Sequence, residues 1–445
     1  MSIRDSLLAL LLIGGLPVSI MRPFVGALFF VWLGTMNPHR YTWGFAYDFP
    51  WSKLYALAVV VGVMVSKESQ FRDSTSRYRI VLMLLAWMAV TTVFSLEPLR
   101  AWSKYADVLK IQLMCLVTLS LLTTRARITA LVTVMTLSLA FYGTKGGVFT
   151  LAHGGVYTVW GPVDTAIQDN NHLAAALVML LPLLYWLFRQ ARPRWQKIAL
   201  IASLLLCAVS VFGSQSRGAF LAVGAMALFF LLKSDRKLLA IPLIAFGVIA
   251  AAIVMPDSYW QRIDTIHSYE EDGSAMGRIN TWKTAFNIAN HRVTGAGFEY
   301  YSDEAFARYA PVPASVHAAH SIYFQALGEH GWIGLLLFLS IWVTVWRQCL
   351  TAAAAFGPGP EGDTMRLLLR MIQVSLVAFA VGGAFVNIGN WDFPYYLAIV
   401  VFAAQRLASS ATPRTERAPG ATVDRRQPKA SLTFGNVRLH RDQGA

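Results

Sequence analysis

The 445-residue sequence predicts an all-α integral membrane protein of about twelve transmembrane helices with a large, partly helical external loop. Three observations lead there. The chain is 56% hydrophobic and only 14% charged, with a mean hydropathy of +0.49, whereas a soluble chain of this length carries far more charge. Apolar runs close to the length of a bilayer crossing recur from end to end. The connections between them alternate between basic and non-basic.

The first stretch, 6–36, is apolar but interrupted by Pro17, Arg22 and Pro23, which allows one broken span or two short ones. No small-residue cleavage site follows it, so it reads as an uncleaved first helix. Further runs lie near 53–66, 80–96, 108–124, 126–143, 171–188, 197–213, 218–232, 238–255, 320–346, 368–388 and 393–408. The chain divides into an N-terminal broken or paired helix with its connecting loop (1–52) and a transmembrane bundle (53–255). An external loop (256–319), C-terminal transmembrane helices (320–409) and a disordered basic tail (410–445) complete it.

Alternate connections carry Lys67, Arg72, Arg77 and Arg79, then Arg125 and Arg127, then Arg189, Arg192, Arg194 and Lys197, then Lys233, Arg236 and Lys237. Arg347, Arg366 and Arg370 continue the series, with Arg406, Arg414, Arg417, Arg425 and Arg426 in or near the tail. The positive-inside rule places these in the cytoplasm, so the formal charge of +14 reflects membrane orientation rather than nucleic-acid binding. Eleven clear runs ending inside must begin outside. Parity therefore assigns one crossing to 6–36 and puts both termini in the cytoplasm. The loop 256–319 holds five basic residues against eight acidic ones, as an external loop should. Cys115, Cys207 and Cys349 fall in or beside apolar runs, so no disulfide and no thiolate metal site is expected.

Transporters carry ionisable residues near helix midpoints. Here the midpoints are almost clean, and unusual polar groups gather at the outer face. They are Lys145, His153 and Asp164 in one loop, Asp169, Asn170, Asn171 and His172 at the next helix mouth, and Arg217 in SQSRGAF. Asn387, Asn390 and Asp392 in VNIGNWDF join them. That asymmetry points to chemistry on a membrane-held substrate at the outer water boundary. Arg217 admits an anchoring role and an anion-binding one; Gly213, Ser214, Ser216 and Gly218 around it would permit close backbone approach to an anion. Arg278 and Lys283 lie in GRINTWKTAFNIAN, where Ile279, Trp282, Phe286 and Ala289 share a helical face. One reading is an amphipathic helix resting on the bilayer, and the other is a clamp of Arg217 and Arg278 on a diphosphate.

His320-Ser321, nine residues, Gly331, two residues and Gly334 match the H-[N/S/R]-x9-G-x-x-[G/T/Y] pattern of O-antigen ligases. The chain thereby resembles the superfamily of O-antigen ligases, O-antigen polymerases and bacterial protein O-oligosaccharyltransferases. The likeness covers roughly residues 50–405 and includes the long loop before the histidine helix and the two arginines. MNPHRYTWGFAYDFPW in the N-terminal part looks like the exosortase-associated O-glycosylation ligases.

The resemblance implies an enzyme of the bacterial inner membrane that works on its periplasmic face. The donor would be a glycan on undecaprenyl diphosphate, and the acceptor a hydroxyl of lipid A-core or of a protein. Transfer would invert the anomeric carbon without a metal or any other cofactor. His320 would be the general base, kept neutral at the first turn of its helix. Arg217 and Arg278 would bind the diphosphate and offset charge on the leaving oxygen. Glu329, Asn170, Asn171, His172, Lys283 and His317 would be supporting residues. Helix capping equally explains Asn170, Asn171 and His172. The alternatives are a protein O-oligosaccharyltransferase or an O-antigen polymerase using the same site, and, from another class, a non-enzymatic exporter of lipid-linked glycan.

Overall fold

The computed structural model describes residues 3–66, 68–233 and 273–411. Among the described residues every regular element is helical. The chain begins with α1 (Ile3–Met21), α2 (Pro23–Met36), a 3-10 turn (Pro38–Tyr41) and the short α3 (Phe45–Asp48). There follow α4 (Trp51–Val65), α5 (Phe71–Val93), α6 (Pro98–Leu121), α7 (Arg125–Ala152), α8 (Asn170–Gln190), α9 (Arg194–Gly213) and α10 (Arg217–Lys233). The last part holds α11 (Gly273–His291), α12 (Asp303–Tyr309), α13 (Ile322–Ala355), α14 (Pro360–Gly382) and α15 (Asp392–Ala411). Seven of these are long and apolar enough to cross a membrane, and α2, α4 and α10 are shorter apolar helices. This is the architecture of an all-α membrane protein, in which backbone polar groups are satisfied inside each helix. The run expected at 238–255, residues 256–272 of the external loop and the basic tail after 411 lie outside the described residues.

The stretch 6–36 forms two helices rather than one crossing. Pro23 opens α2 at a position that has no use for an N–H, and Asn37 ends it in the left-handed region, donating its N–H to Leu33. Gly26 packs against Ser19, Gly15 faces Phe29, and Leu33 clusters with Ala9 and Leu12. The two helices are therefore antiparallel, with Arg22 at the tip. The Gly44 N–H reaches back to the Asp5 carboxylate at 3.0 Å, so the start of α1 and the 37–50 connection share one end of the bundle.

α8 and α14 are the most enclosed of the spanning helices, and α8 buries apolar side chains all round from Leu173 to Leu187. Ser375 of α14 donates to the Met179 carbonyl beside Pro182, a site where proline weakens the helix ladder. At one end of the bundle the basic residues pair, as Arg125 with Glu361 and Arg127 with Glu68. Arg406, which the sequence counts with the solvated basic residues, is buried instead. It donates to the Leu119 and Leu122 carbonyls at the end of α6 and to Ser74, beside Asp73. The unusual polar residues collect at the opposite end, where α8 begins.

Candidate functional site

α8 begins with an Asp169 cap. Its carboxylate accepts from the N–H groups of Asn171 (2.8 Å) and His172 (3.4 Å), so Asp169, and not the asparagines after it, closes the helix start. Asn170 is released to donate to the Ser214 carbonyl at 2.7 Å, and Asn171 donates to the Asn170 side chain. Asn170 thus ties the α8 mouth to the turn that carries Arg217.

In that turn Ser216 caps α10 by accepting from the Ala219 N–H, and Arg217 is the first helical residue, half-buried. The small residues around it have packing roles. Gly213 lies against Thr150 and Gly218 against Phe385, with no room for a Cβ at either. The proposed open cradle for an anion is therefore filled by neighbouring side chains. Gln215, in the left-handed region, holds the Gly155 and Val156 carbonyls and bonds to Thr158, so the turn also fixes the 153–169 loop.

α11 buries Ala289 of its apolar stripe, half-buries Ile279 and Trp282 and exposes Phe286. Its buried face carries Asn280, Thr281, Thr284, Ala285 and Ile288, while Lys283 and Phe286 are exposed. The buried polar groups hold the incoming strand of the histidine loop. Asn280 donates to the Val312 and Ser315 carbonyls and accepts from the Val312 N–H, all at 3.0 Å. Thr281 donates to the His317 carbonyl, and Trp282 to the Ala319 carbonyl at 2.7 Å while stacking on Phe324. The loop has no regular structure of its own, so α11 supplies its partners.

His320 stands two residues before the first residue of α13, with Ser321 at the cap position. This differs from the expected first-turn position. Its φ is +43°, a conformation that costs a non-glycine residue of order 1–2 kcal/mol and is kept only where neighbours enforce it. Ser321 helps to enforce it, donating its N–H to the Asn387 side chain at 3.0 Å, while the Asn387 N–H donates to His172 Nε2 at 3.2 Å. That second bond requires His172 Nε2 to be unprotonated.

The imidazole of His320 is half-buried. Burial first, then the Arg278 guanidinium and His172, hold it down at about 4, against an upward pull from Asp169. Its Nδ1 is buried and has no hydrogen-bond partner among the described residues. Desolvation and a nearby cation thus keep it neutral. Arg278 lies within Coulomb reach of both His172 and His320.

Of the residues expected from the sequence, the structure gathers His320, Arg278 and His172, with Asp169 beside them. Asn170 and Asn171 adjoin that group. Arg217 begins α10 at the same end, in the turn clasped by Asn170. His317 is exposed and bonded to Ser315, and Lys283 points away on the outer side of α11. Among the described residues, no three His, Cys, Asp or Glu side chains gather as a metal site. Asn387, named from the sequence only as one of the polar residues at the outer face, links His172 to the start of α13. Its signal is a polar cluster, NIGN, between two apolar runs.

Glu329 does not join this group. It lies on the far side of the first segment of α13, just before a break at Gly331, whose φ of +67° interrupts the helix. Carbonyls near the break turn outward and are taken by a loop: Ala296 N–H bonds to Gly328 O and Gly297 N–H to Glu329 O, each at 2.9 Å. The indole of Trp87 bonds to His330 O at 2.8 Å. A side chain at 331 would overlap the Val293 carbonyl. The Glu329 carboxylate accepts from the Glu299 N–H and from Gln325, and its other oxygen is 3.6 Å from His330 Nε2. The Gly331 and Gly334 positions of the motif therefore serve the break and its docking loop; Gly334 makes room for the His330 side chain.

Residues 202–339 match the family model described as O-Antigen ligase (Wzy_C), and residues 3–192 match a family of unknown function (DUF5935). A search of curated proteins gives no match. The ligase match supports the O-antigen ligase and polymerase superfamily, whose members are glycosyltransferases that use a lipid-linked glycan and an acceptor.

Proposed function

We propose that the protein transfers a glycan from undecaprenyl diphosphate to a hydroxyl acceptor, with lipid A-core of lipopolysaccharide as the acceptor, at the periplasmic face of the bacterial inner membrane. The observation that carries this reading is the meeting of His320 with Arg278 at the mouth of α8, inside the stretch that matches the ligase family. Neutral His320 takes the proton of the acceptor hydroxyl as its oxygen attacks the anomeric carbon. The bond from that carbon to the carrier diphosphate breaks with inversion. Arg278 and Arg217 hold the departing diphosphate, since guanidinium forks match phosphate oxygens and stay charged.

Donor binding tunes the base. In the free enzyme Arg278 opposes protonation of His320. Once a diphosphate pairs with Arg278, that opposition is cancelled and the imidazole becomes a stronger base when it is needed.

A periplasmic site places the start of α1 in the periplasm as well, because Asp5 bonds to Gly44 and Arg40 of the same connection pairs with Asp164 at 3.4 Å. That reading replaces the cytoplasmic N-terminus given by parity.

The test is purified protein with a lipid-linked oligosaccharide, offered lipid A-core, a protein or a second glycan. Transfer to lipid A-core alone is expected, with His320→Ala inactive and Arg217→Lys severely impaired. Transfer to protein or to glycan alone would reassign the acceptor. Full activity of His320→Ala would overturn the mechanism.

A further inference from the structure

A second feature lies wholly within residues 3–192, outside the ligase match. α2 and α7 run parallel, and each turns one face to a shared channel: Val25, Leu28 and Trp32 on α2, and Val134, Leu137 and Phe141 on α7. The spacing of three and four residues puts each set on a single helical stripe. The channel has a volume of about 480 Å³ and an almost wholly apolar wall. From Val25 to Met36 the lining extends about 16 Å at the rise of an α-helix, close to the roughly 15 Å depth of one leaflet's hydrocarbon. Leu137 and Phe141 are 47% and 39% exposed, so the channel opens sideways into lipid.

Its mouth is polar. The Tyr142 hydroxyl bonds to the Met36 carbonyl and joins the two helices at that level. Lys145, one turn beyond Phe141 on the same stripe, is exposed, with its Nζ 5.3 Å from the centre of the Tyr41 ring. Arg40 nearby is offset by Asp164, and no salt bridge among the described residues involves Lys145. The mouth therefore presents one positive charge above an apolar slot one leaflet deep.

We propose that this channel binds a single hydrocarbon chain of an anionic outer-leaflet lipid, with the lipid phosphate on Lys145. A neutral lipid gains only the slot, and a polar peptide would be unsatisfied in it. One chain with one anionic end fits both halves. The occupant is a phospholipid, whose acyl chain is one leaflet deep as the slot is, and the choice of outer leaflet rests on the proposed sidedness of the protein.

The experiment uses full-length protein in phosphatidylcholine nanodiscs doped with one of three photoreactive-chain probes: phosphatidylglycerol, a polyprenyl phosphate or phosphatidylcholine. Adducts are mapped by peptide mass spectrometry. Adducts on peptides from 23–36 and 133–145 are expected to favour an anionic probe by about fivefold, the worth of one interfacial lysine. Lys145→Ala should remove that preference, and Leu137→Trp should suppress the adducts for every probe. Phosphatidylglycerol should label more strongly than the polyprenyl phosphate, and the reverse order would overturn the choice of a phospholipid. Equal labelling by phosphatidylcholine, or labelling unchanged in Leu137→Trp, would reduce the channel to an ordinary lipid-facing crevice. Glycan transfer is not read, so failure here and failure of the proposed reaction remain separate.

Discussion

Trp282 donates its indole N–H to the carbonyl of Ala319 at 2.7 Å, which joins the helix of Arg278 to the residue immediately before His320. Of the bonds by which α11 holds the loop, this one lies nearest the base. Trp282→Phe keeps the stack on Phe324 and loses the bond. A net hydrogen bond of about 1 kcal/mol corresponds to about a fivefold change. We expect transfer to fall by at least that factor with little change in expression, as measured by initial rates on saturating donor.

The pH dependence should expose the tuning of His320. With the free imidazole held at about 4, kcat/KM should stay level from pH 8 to about 5 and fall only below that. The acid limb of kcat, which reports the donor complex, should lie at higher pH, because bound diphosphate neutralises Arg278. Coincident limbs near the ordinary imidazole value of about 6.5 would mean that His320 is solvated like a free side chain.

The same group sets a stability trend. Its folded pKa lies below its unfolded value, so the unfolded chain binds more protons between about 6.5 and 4. The contribution is complete above about pH 6.5 and is lost as the pH falls towards 4. In His320→Gln that part of the slope should vanish from thermal melts taken across the window.

The break at Gly331 predicts a local effect. Gly331→Ala must hold a left-handed conformation at a cost of about 1–2 kcal/mol and also displace the Val293 carbonyl. Glu329→Ala removes the acceptor of the Glu299 N–H, whereas Glu329→Gln retains a carbonyl there. Hydrogen exchange of residues 293–301 should quicken in the two alanine variants and stay near wild type in Glu329→Gln.

Topology can be read by labelling. All three native cysteines are buried. Ile3→Cys and Trp160→Cys, at positions 79% and 63% exposed, should react together with a membrane-impermeant maleimide in cells with a permeabilised outer membrane. Trp195→Cys, at the opposite end of the bundle, should not react. Labelling of position 160 with neither 3 nor 195 would restore the single crossing over 6–36 and the cytoplasmic N-terminus.

Much of the fold was legible because bilayer solvation writes itself into composition: the apolar runs among the described residues became helices with boundaries moved by several residues. What failed was decided by contacts far apart in sequence. Residues 6–36 were apolar enough to cross once or twice, and the meetings of Gly26 with Ser19, Gly15 with Phe29 and Leu33 with Ala9 and Leu12 make the hairpin. On α11 the apolar stripe was real, but Asn280 and Thr281 face inward because a loop lacking its own structure needs their hydrogen bonds. His320, Arg217 and Arg278 were marked by a spacing pattern and by charge on the face where arginine is rare. The pairing of Asn387 with Ser321 and His172 leaves no periodic trace. In the same way, Gly331 was visible as a motif position but not as a break.

The loop from Val312 to Ala319 owes its shape to side chains of α11, and α11 with its neighbour α12 forms a small apolar cluster with Tyr300 and Phe306, apart from the main core. Such an outlying unit should open on its own, at lower free energy than the buried α8 and α14. Mild denaturant or warming should consequently silence the enzyme while its spanning helices remain intact. The operating ceiling of the protein would then be set by some fifty residues in water rather than by anything in the lipid.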